Sequence, residues 1–286
     1  MKIALAACAK NPVLSASNDR LRQALLARGV DCPVLRWNAD PFEDFLACDL
    51  TVLRQTWDYQ DDPGGFAAWL VRLEALGGRV EAPARLAVWN NDKRTLVELE
   101  RYGIAVPRTV PLPASGDPAA LAAIPTERIV LKPAFGGDGI GVQLADRAGL
   151  ADALERSAAE APGRPLMAQE FLPEIGEGEW KLTCIAGAVA LAVRARPKPG
   201  EFRINSRFQP EVAVVAPPEP ARRAAEQLMA ALGTPLCGRV DGVMKAGGFI
   251  CTELELADPD LHLHLQPEAA ETLADAVLAR AQRPPG

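Results

Sequence analysis

"RIVLKPAFGGDGIGVQLAD", Arg128 to Asp146, is the stretch on which the fold turns. An apolar run ends at Lys132 and Pro133, four glycines then fall between Gly136 and Gly141, and a second strand-like run begins. Glycine costs order in a folded chain, so crowding it here requires a reason. A two-residue hairpin turn is satisfied by one or two glycines, whereas Gly136, Gly137, Gly139 and Gly141 describe a longer flap at a hairpin tip. Such a flap can offer bare amide N–H groups to phosphate oxygens, where side chains would intrude, or it can be a flexible turn. Lys132 ends the first strand where its ammonium could meet the same phosphates. GxxxxGK[ST] is absent, and the glycines lie between strands, which excludes both a Walker loop and a dinucleotide fingerprint.

Toward the N-terminus, "MKIALAAC", "CPVLRW" and "DLTVLRQTW" read as short strands. Between them "SNDRLRQALLARGV" reads as a helix capped by Ser17 or Asn18 and ended by Gly29. "GGFAAWLVRLEALGG" is an amphipathic helix closed by Gly77. Strand–helix–strand order implies a parallel sheet in a first lobe, residues 1–86. A helix is expected from Asn91 to Tyr102, stopped by Gly103, and the Pro- and Ala-rich stretch 111–126 holds a loop or a short helix. Toward the C-terminus come a helix "ADALERSAAEA", a strand "LMAQEFL" and two strands about a turn at Ala186–Gly187. The helix "PARRAAEQLMAALG", the strand pair "CGRVDGVMKAGG" and "FICTELEL", and the closing helix "PEAAETLADAVLARA" complete the chain, with a frayed "RPPG".

The 286 residues suffice for more than one lobe. No run resembles a membrane span or a signal peptide. A net charge of −6 argues against nucleic acid or an anionic membrane as partner. Six cysteines never form a CxxC pair and sit mostly among apolar residues, which reads as buried free thiols and a cytoplasmic location. From Asp241 onward there are eight acids and three bases, while Arg194, Arg196, Lys198, Arg203 and Arg207 form a basic run upstream. That segregation suits either a site for metal ions and anions or two solvated faces.

"RVDGVMKAGGFICTELEL" places Asp241 on one strand and Glu253 and Glu255 on the next. Residues two apart on a strand share a face, so a hairpin would converge the three carboxylates. Unpaired carboxylates on one face repel and require a cation, and hard oxygen ligands suit Mg²⁺. The alternative, a solvated edge strand, fits poorly with so apolar a segment.

In this order "NDKRTLVELERYGIAVPRT", "VLKPAFGGDGIGV", "MAQEFLPEIGEGE", "GRVDGV" and "TELEL" resemble the ATP-grasp superfamily of ligases, over roughly residues 86–270. The resemblance implies an α/β ATP-grasp fold with lobes at 1–86, 87–166 (a lid carrying the lysine helix and flap) and 167–286. It implies ATP and Mg²⁺ as cofactors, Lys93 and Lys132 on the nucleotide phosphates, and the flap over the triphosphate. Glu170 and Leu172 would lie at adenine, with Glu177 or Glu179 at ribose or substrate. Asp241, Glu253 and Glu255 match metal ligands, although Glu-x-Glu replaces the usual Glu-x-Asn. Arg203 and Arg239 match positions that steady the transferred phosphoryl group. "LRQTWDY", "GEGEWKL", "RPKPGEFR" and "ELELADPDLHL" resemble the D-cycloserine-forming branch and its relatives, which makes Arg54, Trp57 and Tyr59 substrate candidates. Lys181 stands where that branch leads one to expect a small or acidic residue.

The chemistry implied is an ATP-dependent ligase that activates a carboxylate as an acyl phosphate and joins it to an amine or hydroxylamine nitrogen of a small, amino-acid-like substrate. The reaction would run between two molecules or within one, and a homodimer is a family-level expectation. A nucleotide-binding scaffold or sensor without turnover is the alternative, and a kinase releasing a stable phosphate ester is another. His262 and His264 read as structural, since two histidines lack the further ligands zinc wants.

Overall fold

The computed structural model describes residues 1–112 and 121–283, so parts of the expected 111–126 segment and of the frayed terminus lie outside the described residues. The first of three sheets is parallel, in the order β2-β1-β3-β4, with β1 at Ile3–Ala7, β2 at Val34–Arg36, β3 at Leu50–Gln55 and β4 at Val80–Glu81. Every residue of β1 and β3 is buried, as central parallel strands covered on both faces must be. The helix Ala16–Ala27 is capped by Ser15, whose hydroxyl accepts the Asn18 N–H at 3.3 Å, and not by Ser17 or Asn18. Those two are buried instead, and Asn18 donates to the side chain of Gln55 at 3.2 Å.

The helix expected over Asn91–Tyr102 is two elements, Ala84–Asn91 and a 3-10 stretch Lys93–Tyr102. The break falls at Asp92, whose backbone is extended and whose carboxylate accepts the Arg94 N–H at 3.0 Å. It frees the Lys93 N–H to bond the Ala134 carbonyl at 2.8 Å, tying this turn to the end of the strand that carries Lys132. Gly103 ends the stretch with φ +74°.

The second sheet is antiparallel, in the order β5-β8-β6-β7: β5 Thr109–Leu112, β6 Arg128–Pro133, β7 Gln143–Asp146 and β8 Leu166–Glu170. The glycines occupy the tip of the β6–β7 hairpin. Because β8 lies between β5 and β6, this sheet runs to Glu170, and a limit drawn at 166 cuts its central strand. The third sheet, β11-β10-β9-β12-β13, is also antiparallel. It comprises β9 Glu179–Ile185, β10 Ala188–Arg196, β11 Glu211–Val214, β12 Cys237–Lys245 and β13 Gly248–Glu255. Its two tight hairpins turn at Ala186–Gly187 and Ala246–Gly247, both with positive φ, the signature that matches strand twist.

Alternation then sorts the third sheet's side chains. Trp180 and Leu182 of β9, Val240 of β12 and Leu254 of β13 enter a core with the helices Pro63–Ala75 and Glu219–Ala231. The neighbours Glu179, Lys181, Arg239, Glu253 and Glu255 alternate with them and line the cavities described below, with Asp241 buried beneath them. The closing helix Pro267–Ala281 packs Leu273 and Val277 into a second core with Leu21, Leu25 and β1. Truncating a leucine in such a core costs about 2–5 kcal/mol, so this helix fixes the first lobe against the third sheet.

Candidate active site

Sheet register assembles the charged face. Asp241 is paired with Lys181 on β9 and with Glu253 on β13, and Arg239 with Glu255. Lys181 Nζ lies 2.8 Å from Asp241 Oδ2 and 3.3 Å from Glu179 Oε2. Arg239 donates to both Asp241 oxygens at 2.8 Å and lies 3.1 Å from Glu255. Lys93 pairs with Glu253. The three carboxylates are therefore not unpaired, as the sequence suggested: each already has a cation. Burial would raise the Asp241 pKa, but Arg239 and Lys181 outweigh it and hold the carboxyl well below its usual range. Burial likewise works to lower the Lys181 ammonium, and Asp241 outweighs it, leaving the pKa raised. Burial pushes Glu179 up against the pull of Lys181, and the Thr252 hydroxyl donates to it at 2.6 Å.

This arrangement corrects the expected metal trio. Asp241 is fully buried with both oxygens taken, and among the described residues no three His, Cys, Asp or Glu side chains cluster to hold a metal ion. Glu253 and Glu255 do line the cavity. Mg²⁺ is commonly bound by one or two carboxylates plus substrate phosphates, so the donor set fits that ion with two carboxylates, not three.

The cavity over this face has a volume of about 160 Å³. Lys93, Lys132, Gly136, Gly137, Gly139, Glu170, Leu172, Glu179, Lys181 and Arg203 are among the residues that line it. Burial, with Lys93 close by, lowers the Lys132 pKa to about 7. Burial lowers Lys93 too, although Glu255 opposes it. Gly139 has φ +69°, and a Cβ there would sit 2.7 Å from Asn205 Oδ1 and 2.8 Å from the Phe208 ring. Close backbone approach thus accounts for this glycine as well as any phosphate does. The Gly137 N–H donates to Gln60 Oε1 of the first lobe at 2.8 Å. Gly141 does not reach the cavity: its N–H donates to Glu160 at 2.9 Å, and a Cβ would meet Pro133 at 2.8 Å. Glu170 accepts the Arg108 N–H at 3.1 Å. Glu179 faces the cavity and Glu177 does not line it. Arg203 pairs with Glu201 at 2.8 Å, holding that carboxyl down at about 2, and lies 3.9 Å over the Phe208 ring.

A second cavity, of about 510 Å³, adjoins the first and shares Lys93, Lys181 and Glu255 with it. Trp57, Tyr59 and Arg239 line it. Arg54 does not, which corrects its expected substrate role. It is fully buried, donating to Asn18 Oδ1 at 3.1 Å and to the Pro259 carbonyl at 2.5 Å, and so ties β3 to the loop after β13. His262 is on this wall with burial lowering its pKa to about 4, while His264 is exposed. Sequence reasoning assigned no role to Lys181, Gln60 or Asp258. For Lys181 the available signal was a lysine at an inward-facing position of an otherwise apolar strand. All six cysteines are free and buried, and no helix among the described residues is long and apolar enough to cross a membrane.

Comparison with known proteins bears on this geometry. Residues 3–82 match the family described as D-cycloserine synthetase DcsG, N-terminal domain, and residues 117–238 match the ATP-grasp domain of prokaryotic glutathione synthetase. The cycloserine biosynthesis protein DcsG of Streptomyces lavendulae is 30% identical over 287 aligned positions, covering 91% of this chain and 92% of that protein. The chain belongs to the ATP-grasp ligases. This ATP-grasp ligase lies near the D-cycloserine synthetase branch, and its solved-structure likeness agrees. The crystal structure of D-cycloserine synthetase DcsG superposes with a TM-score of 0.83 at 25% identity, covering 99% of this chain and 100% of that one. Glutathione synthetase of Parasynechococcus marenigrum (strain WH8102) is 31% identical over 216 residues, 72% of this chain and 66% of that protein. An ATP-using carboxylate–amine ligase is the enzyme class these relatives indicate.

Proposed function

We propose that this ATP-grasp ligase activates the carboxylate of a small, amino-acid-like substrate as an acyl phosphate and joins it to an amine or hydroxylamine nitrogen, between two molecules or within one. The observation that carries the reading is the shared wall of Lys93, Lys181 and Glu255 between the two cavities. A nucleotide in the smaller cavity and a carboxylate in the larger would meet there.

A carboxylate is a poor electrophile, and phosphorylating it supplies a leaving group. Two anions must first approach one another, and Lys93, Lys132, Lys181 and Arg203 offset that repulsion from fixed positions. Arg239, on the wall of the larger cavity, adds positive charge where an oxyanion would form on nitrogen attack. The Gly136 and Gly139 amides face the phosphates while the Gly137 N–H anchors the flap to Gln60, and the closed flap keeps water from the activated acid. Glu170 and Leu172 flank the base, and Glu179 the ribose. Glu253 and Glu255 would hold Mg²⁺, which when bound supplies charge neutralisation at the phosphates. In this reading residues 1–86 choose the substrate, the lid runs from 87 to Glu170, and the remainder clamps the nucleotide.

The test is ADP release across amino acids and O-substituted serines, with and without added amine, using Lys132→Met as the blank. The reading requires release that depends on a carboxylate and a nitrogen nucleophile. Release that needs no nitrogen nucleophile and leaves a stable phosphate ester on a substrate hydroxyl would make the protein a kinase; tight ATP binding with no release would make it a scaffold.

A further inference from the structure

The larger cavity is lined by side chains of both charges. Lys93, Lys181 and Glu255 line both it and the nucleotide cavity, whereas Arg239, Asp260 and Lys10 line only the larger of the two. The turn Trp57–Gln60 and the loop after β13 bring Asp58 and Asp258 to its lining. These carboxylates are 8% and 9% exposed, and among the described residues neither has an ion-pair partner. Asp58 is satisfied by neutral donors, the Trp37 indole N–H and the Asn38 amide, both at 2.7 Å.

Asp258 is not satisfied. Its Oδ2 accepts the backbone N–H and the hydroxyl of Thr56, the latter at 2.8 Å. Its Oδ1 is buried with no hydrogen-bond partner. A carboxylate oxygen buried without a donor costs free energy that a bound cation would recover. Burial pushes this carboxyl up to about 7 although Arg54 opposes it, as expected for a group whose counter-ion is missing. A small substrate carrying both a carboxylate and an amine would find partners for each on this lining: Lys93 and Lys181, where the carboxylate would be activated, and Asp258 for the ammonium.

Resting on the ligase reading above, we propose that Asp258 is the specificity residue that holds the protonated amine of an amino-acid substrate through Oδ1. The amine held here is the recognition group of the molecule whose carboxylate is activated. A compound of similar shape without it leaves Asp258 unpaired and binds far more weakly.

The experiment measures binding separately from turnover. Protein saturated with Mg²⁺ and the non-hydrolysable nucleotide AMPPNP is screened by thermal unfolding against free D- and L-amino acids and O-substituted serines, each beside its N-acetyl and desamino counterparts. Hits are titrated by calorimetry. At least one free amine is expected to bind, its counterparts at least about 30-fold more weakly, from the rejection of analogues that strand a buried polar group. Asp258→Asn, which keeps an oxygen for Thr56, is expected to lose a similar factor for the amine. Its affinity for AMPPNP should stay within about threefold, a change too small to signal lost folding. The proposal is overturned if no free amine binds, if the desamino compound binds as well, or if folded Asp258→Asn retains the amine. It is also overturned if K⁺ alone in place of Na⁺ gives the stabilisation that the variant loses, which would make the occupant an inorganic cation. Should the variant fail to bind AMPPNP, the wild-type comparison of amine and desamino compound decides. ADP release with the same compounds separates the two claims. Amine binding without release sinks the ligase reading, and release with a desamino acid sinks only the role of Asp258.

Discussion

Nucleotide binding by this ligase should take up a proton, and the lysine beneath the flap sets the amount. Lys132 has its pKa lowered to about 7 by burial, with Lys93 adding to the effect. Between pH 7 and the ordinary lysine value near 10.4, the free protein therefore holds this side chain largely neutral. Phosphate oxygens against it favour the ammonium and return the pKa toward normal. At pH 8 a group of pKa about 7 is roughly 90% deprotonated, so binding that restores the ammonium takes up about 0.9 proton; at pH 6 the uptake falls to about 0.1. The same linkage weakens binding about fivefold between pH 7 and pH 8, as the neutral fraction grows. Lys93, also lowered by burial, acts in the same direction. The phosphates themselves, with a second ionisation near pH 6, contribute little at pH 8. Calorimetric titration with Mg²⁺-ATP in two buffers of different ionisation enthalpy reads the proton count directly. Lys132→Met should abolish most of the uptake and weaken binding at least about tenfold at pH 7, as loss of a buried charge partner does. An uptake below about 0.2 proton at pH 8 would refute the placement of Lys132 at the phosphates.

Other outcomes follow from single contacts. Asp241→Ala removes the carboxylate that Lys181 and Arg239 share, leaving them only Glu179 and Glu255, so it should lose up to about 3–5 kcal/mol by denaturant unfolding and abolish ADP release. His264→Ala, at an exposed position, should keep most of that release. Gly139→Ala meets a positive φ and two contacts under 3.0 Å, so KM for ATP should rise at least about tenfold with an unchanged circular dichroism spectrum. Asp258 binds its proton more tightly folded than unfolded, up to about 7 against an ordinary value near 3.9. Its contribution is therefore present below about pH 4 and lost as pH rises through 7. Ligand-free wild type should lose stability relative to Asp258→Asn between pH 5 and pH 8, by at most about 1.4 kcal/mol per pH unit, measured by urea denaturation. Equal pH slopes for the two proteins would contradict that placement.

What the sequence disclosed was whatever local chemistry encodes. The β6–β7 hairpin and the Ala186–Gly187 turn of the third sheet are written in glycines and flanking apolar runs, and both appear where expected. Strand alternation likewise put Asp241, Glu253 and Glu255 on one face. Sequence could not show their partners, because Lys181 lies 60 residues from Asp241 and meets it only through the pairing of β9 with β12. Three acids seen without those cations look like a metal site, whereas the folded sheet neutralises Asp241 internally. Arg54 failed for a related reason: the resemblance carried by "LRQTWDY" marked it for substrate, whereas the fold encloses it with the Pro259 carbonyl and Asn18. The cap at Ser15 and the break at Asp92 depend on single side-chain bonds that periodicity does not register. Gln60 on the flap and the orphan oxygen of Asp258 depend on contacts between lobes, which no local pattern records.

The most direct test follows one oxygen atom. An acid that supports ADP release is prepared with ¹⁸O in both carboxylate oxygens, and the inorganic phosphate formed on turnover is examined by mass spectrometry. Passage through an acyl phosphate places one ¹⁸O in each phosphate released, with ADP as the nucleotide product. Unlabelled phosphate, or AMP and pyrophosphate in place of ADP, would contradict it.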